Sequence, residues 1–64
     1  MVRINGEERD WAGRTLTGCL AELGFDPARV AAERNGDIVP RNAFDQTVLQ
    51  DGDRWEVVCF VGGG

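Results

Sequence analysis

The sequence contains no lysine, no histidine and no tyrosine among its 64 residues. Each absence removes a chemistry. Without histidine the chain lacks the commonest general base near neutral pH. Without lysine it has no Schiff-base amine and no P-loop lysine. Two cysteines without histidine cannot build a Cys/His zinc site within one chain. Positive charge is also scarce: 7 basic residues, all arginine, face 11 acidic ones, for a formal net charge of -4. Nucleic acid and anionic membrane surfaces are therefore poor partners, because both are held chiefly through basic side chains. No apolar run approaches the roughly 18 residues of a membrane span, and nothing resembles a signal peptide. The expected location is cytoplasmic.

Length sets a second boundary. A chain of 64 residues makes one domain. Such a domain buries only about 60% of its unfolded surface, so its core is small. A ligand pocket of roughly 300–1,000 Å³ is hard to enclose in it. A self-contained enzyme is not expected, and no metal site is.

Cys19 and Cys59 both sit among apolar neighbours. The expectation is two buried, reduced core thiols, with a disulfide or a reactive thiol as alternatives. No charge cluster flanks Cys59 to favour its thiolate.

Local patterns suggest a compact sheet with one helix. Met1 to Ile4 alternates as a half-buried strand does, and Asn5-Gly6 is a hairpin turn leading into a returning strand over 7–11, with Trp11 in the core. Thr15 is a candidate helix N-cap. Leu16, Cys19, Leu20 and Leu23 then fall on one helical face. Gly24 suits the left-handed residue after a helix. Gly18 lies inside the helix and suggests a close approach to the sheet. Asp26-Pro27 opens a second helical turn. Residues 27–34 read as a short helix on alanine content, or residues 30–34 as a strand entering the Asn35-Gly36 turn, and the turn favours the strand. Pro40 ends strand pairing. Residues 41–46 are polar and irregular, anchored by Phe44. Residues 47–49 are extended, and Asp51-Gly52-Asp53 is a tight turn.

Residues 54–61 form the longest strand candidate. Alternation places Trp55, Val57, Cys59 and Val61 on one face, and Glu56, Val58 and Phe60 on the other. The Trp face is core. The other face carries one charge and two apolar groups, the pattern of a binding surface. This order of elements fits an α+β roll, one mixed sheet of four to five strands over one main helix.

The strand runs into Gly62-Gly63-Gly64. Glycine lets a segment extend, take positive φ and thread a narrow slot. The terminal carboxylate is then the group open to activation by another enzyme. From composition alone, a frayed end or a cloning remnant is equally open.

These segments together resemble the sulfur-carrier proteins of thiamine biosynthesis, small ubiquitin-like β-grasp proteins. The resemblance spans essentially the whole chain. It rests on the Asn5-Gly6 hairpin, the Thr15-Leu16 helix start, the segment Asn35-Gly36-Asp37-Ile38-Val39-Pro40-Arg41, the turn Leu49-Gln50-Asp51-Gly52-Asp53, and the terminal glycines. Each motif is common; their order and spacing are not. The resemblance implies a β-grasp domain over 1–61, a functional tail over 62–64, and a strand over 30–35. Where this chain has three glycines the family needs two, so Gly62 reads as spacer, and Cys59 belongs to no family motif.

The resemblance also implies a mechanism. An adenylating, activating enzyme uses ATP and magnesium to adenylate the carboxylate of Gly64, and no cofactor is bound by the carrier itself. Sulfur from a persulfide, supplied through a donor such as a cysteine desulfurase, replaces the adenylate. The resulting thiocarboxylate donates sulfur to thiazole synthase. Gly63 and Gly62 thread the partner's site. Val58, Phe60 and Glu56 are the candidate docking residues, while Arg41 and Arg54 read as solvated charges. Related readings keep the chemistry and change the client to molybdopterin, tRNA thiolation or cysteine synthesis. Others make the chain a ubiquitin-like modifier or a passive interaction domain.

Overall fold

A computed structural model gives the fold and describes residues 1–60. The sequence of elements is β1 (Val2–Ile4), β2 (Glu7–Arg9), α1 (Leu16–Glu22), a 3-10 turn at Pro27–Arg29, β3 (Val30–Arg34), β4 (Asp37–Val39), a 3-10 helix at Arg41–Gln46, and β5 (Arg54–Cys59). The strands form one sheet in the order β2-β1-β5-β3-β4. Strands β1 and β5 run parallel, and every other neighbouring pair is antiparallel. The sheet packs one face against α1, the β-grasp arrangement that the resemblance implies.

Both hairpins depend on an Asn-Gly pair. Asn5 and Gly6 take φ of 50° and 85°, and Asn35 and Gly36 take 50° and 91°. Two successive positive φ values match the twist of the flanking strands, and Asn followed by Gly reaches them at least cost. The helix starts where expected, because the Thr15 hydroxyl accepts the N–H of Gly18 at 3.2 Å. Asp26 caps the next turn in the same way, accepting from Ala28 at 2.9 Å.

Alternation along the strands decides what is buried. Val2 and Ile4 of β1, Val30 and Ala32 of β3, and Trp55 and Val57 of β5 face Leu16, Cys19 and Leu20 of α1. Phe44 and Leu49 close the core from the connecting segment. Trp55 is completely buried at the centre of the sheet. Burying side chains of the Leu or Val class contributes roughly 1.5–3 kcal/mol each.

The structure corrects several details. Cys59 shares the facing of Trp55 and Val57 but, as the last residue of β5, lies outside the core cluster and is exposed; Cys19 is buried, and both thiols are free. Gly18 does not approach the sheet: a Cβ there would meet only the Thr15 hydroxyl, at 3.1 Å. Strand β2 ends at Arg9, and Trp11 is half-buried against the core edge. Residues 41–46 are a 3-10 helix rather than irregular. The strand reading holds over Val30–Arg34, and the helical reading survives only as the 3-10 turn at Pro27–Arg29. Val61 and the tail boundary lie outside the described residues.

Candidate functional site

The outward face of the sheet brings the predicted docking residues together. Glu56, Val58 and Phe60 are all exposed, Val58 at 58% and Phe60 at 51% of their full surface. Phe60 does not fold back into the core; its N–H donates to the Arg29 carbonyl at 2.7 Å while its ring stays outside. Strand pairing extends this face beyond β5. Ala31 lies opposite Val58, and Glu33 lies opposite both Glu56 and Ile38. Ile38 is 73% exposed and joins the same face. Sequence reasoning missed Ile38, although the Asn35-Gly36 turn fixes its register against Glu33. A shallow cavity of about 200 Å³ opens between Ile38, Val39, Pro40, Phe44 and Phe60. A larger one of about 310 Å³ lies at the other end of β5, between Arg3 and Arg54. Gly62, Gly63 and Gly64 lie outside the described residues.

The strand that carries this face is clamped along both edges. On the β1 side, the Asn5 side chain takes over where β1 turns away. Its Nδ2 donates to the Val57 carbonyl at 3.1 Å, and its Oδ1 accepts the Val57 N–H at 2.8 Å. On the β3 side, Asn35 Oδ1 accepts the Arg54 N–H at 2.9 Å, and the Asn35 N–H donates to the Arg54 carbonyl at 2.8 Å. Two turn residues thus continue the ladder with their side chains.

Asp53 is a second residue that sequence reasoning placed only in a turn. It is 8% exposed. Its carboxylate accepts the Gln50 N–H at 2.9 Å, the Trp55 indole N–H at 3.3 Å and Asn35 Nδ2 at 3.5 Å. Arg34 Nε lies 3.1 Å from it, with the N–H not aimed at the oxygen, so this contact is an ion pair rather than a hydrogen bond. The Arg34 guanidinium also stacks 4.9 Å from the Trp55 ring centre and donates to the Val48 carbonyl. A signal existed: Asp53 precedes Trp55 by two residues, and so shares its buried side.

Other arginines are structural as well. Arg41 donates to the carbonyls of Pro27 and Val30 at 3.1 and 3.4 Å, joining the two 3-10 segments to β3. Arg9 and Arg14 both lie over the Trp11 ring, at 4.7 and 4.8 Å. Arg54 is exposed, as a solvated charge would be. Burial pushes the Cys19 thiol above its ordinary pKa, against a smaller opposing pull from Arg14. Among the described residues no three His, Cys, Asp or Glu side chains converge as a metal site. None of their helices is long and apolar enough to cross a membrane.

Comparison with known proteins agrees with this architecture. The ThiS family model matches residues 2–64. A sulfur carrier protein ThiS from Bacillus subtilis is 35% identical, and one from Thermus thermophilus 38%, each aligned over 100% of both chains. A thiazole synthase from Paramagnetospirillum magneticum is 50% identical over 95% of this chain, which spans only 19% of that protein's length. The crystal structure of a thiamine biosynthesis protein (ThiS) from Geobacter metallireducens superposes with a TM-score of 0.77 at 36% identity, covering 98% of this chain and 97% of that one. The fold is therefore the ubiquitin-like β-grasp, and the chain belongs to the ThiS family.

Proposed function

We propose that this chain is a sulfur carrier for thiazole formation in thiamine biosynthesis, holding sulfur as a thiocarboxylate on Gly64. The observation that carries the reading is the ThiS family match running through Gly64, supported by end-to-end alignment with two sulfur carrier proteins. The similar segment within thiazole synthases supports thiazole synthase as the client.

A carboxylate is a poor electrophile, so activation comes first. The Gly64 carboxylate attacks the α-phosphorus of ATP in the activating enzyme, and pyrophosphate leaves. The terminal sulfur of a persulfide, from a donor such as a cysteine desulfurase, then attacks the acyl carbon and AMP leaves, giving an acyl disulfide. A second thiol attacks the donor-side sulfur, so the thiocarboxylate leaves and the two thiols remain as a disulfide. The carrier supplies no acid or base to these steps, having neither histidine nor lysine. Its share is recognition and delivery. Val58, Phe60 and Glu56 meet the partner's surface, and Gly62 and Gly63 pass through a slot that side chains would block. The free thiols suit a reducing compartment such as the cytoplasm.

The test is intact-protein mass spectrometry after incubation with an activating enzyme, ATP, magnesium and a persulfide donor. The expected result is a mass gain of one oxygen-to-sulfur exchange, mapped to Gly64 and lost in Gly63→Leu. No gain, with the enzyme shown active on another ThiS protein, overturns the reading. Thiazole synthase added to the loaded carrier then tests the client.

A further inference from the structure

We propose that Asn35 is a site of spontaneous deamidation in the folded protein, that Asn5 is protected from the same reaction, and that the change at Asn35 loosens β5. Both asparagines precede glycine in an exposed hairpin turn, and both take φ of 50°. Glycine offers no side chain to hinder its own nitrogen, which makes Asn-Gly the most reactive pairing for this chemistry. The Gly36 nitrogen attacks Cγ of Asn35, the bond from Cγ to Nδ2 breaks, and ammonia leaves with the proton from the attacking nitrogen. Water opens the cyclic imide at either carbonyl, giving aspartate or its β-linked isomer. The net exchange is amide and water for acid and ammonia, with no oxidant or reductant.

The Asn-Gly pair and the turn conformation are shared by both sites; the hold on the side chain is not. Attack requires Cγ to swing toward the following nitrogen, which breaks the hydrogen bonds of the amide. Asn5 has two firm bonds, at 2.8 and 3.1 Å, both to the backbone of Val57. Releasing them orphans an N–H and a C=O of the central strand. Asn35 has one firm bond, 2.9 Å from the Arg54 N–H. Its Nδ2 reaches Asp53 only at 3.5 Å. That contact, to Oδ1, is at the limit of a hydrogen bond, and Asp53 stays anchored through Oδ2 by Gln50, Trp55 and Arg34, so little is lost when Nδ2 leaves.

The product differs in consequence too. A new carboxylate at Asn35 faces that of Asp53, which is 8% exposed, so a second negative charge is placed beside one that is already largely buried. The same side chain holds Arg54 at the start of β5.

The experiment ages the folded full-length chain at mildly alkaline pH and follows both turns by peptide mapping. A parallel sample in urea gives the intrinsic rate of each site. The expected result is a ratio of Asn35 to Asn5 conversion several-fold higher in the folded protein than in urea. An equal ratio, or faster conversion of Asn5, overturns the assignment. The variant N35D, which carries the product side chain, should lower the folded-to-unfolded ratio by about tenfold in urea titration. An unchanged unfolding midpoint overturns the claimed loosening.

Discussion

Asp53 offers the sharpest test of how the sheet is held, through the substitution Asp53→Ala. The methyl group leaves the Trp55 indole N–H without its acceptor, and Trp55 is fully buried. An orphaned buried donor costs about 1–3 kcal/mol. Arg34 loses its ion partner, but its side chain is 31% exposed, so solvent screens that loss to about 1 kcal/mol or less. The sum is about 1–4 kcal/mol. A chain of this size has roughly 3–10 kcal/mol in total, so the substitution removes a large share. Urea unfolding followed by tryptophan fluorescence measures it, and the melting temperature should fall by about 5–30 °C. Asp53→Asn keeps one acceptor oxygen for the indole and should recover part of the loss. A change within about 0.5 kcal/mol for Asp53→Ala would refute the argument, because it would mean the carboxylate's bonds are replaced by water at no cost.

Four other predictions rest on individual residues. Thr15→Ala removes the helix cap and should cost about 1 kcal/mol by urea titration. A thiol reagent should modify the exposed Cys59 at once and the buried Cys19 only on unfolding. Because folding raises the Cys19 pKa, its contribution to stability is complete below the unfolded thiol pKa and lost as pH climbs through the folded value; unfolding midpoints should therefore decline in the alkaline range, less so in Cys19→Ala. Val58→Asp and Phe60→Ala alter exposed positions, so the fold should survive by circular dichroism. Adenylation by the activating enzyme should nonetheless fall by about tenfold in kcat/KM, and unaltered kinetics in both would remove this face from the docking surface.

Much of this fold is local and therefore legible. Each Asn-Gly turn, the Thr15 and Asp26 caps and the alternation of β5 are decided by residues a few positions apart. The exposed face of β5 was legible for the same reason, since period-two alternation sends Glu56, Val58 and Phe60 to one side whatever surrounds them. Ile38 was not read as part of that face, because its membership depends on β4 pairing with β3 and β3 with β5.

The sequence by itself excluded histidine and lysine chemistry, set the turns and caps, and divided the strands into inner and outer faces. Tertiary structure alone decided the rest. It left Cys59 exposed, because burial depends on what packs over the end of β5 and not on the hydrophobicity of neighbours in the chain. It turned Asp53 from a turn residue into the acceptor at the centre of the sheet, because Trp55 and Arg34 arrive there from different strands. It also gave Asn5 and Asn35 their unequal holds on β5, since the partner of each amide lies far away in sequence and close only in space.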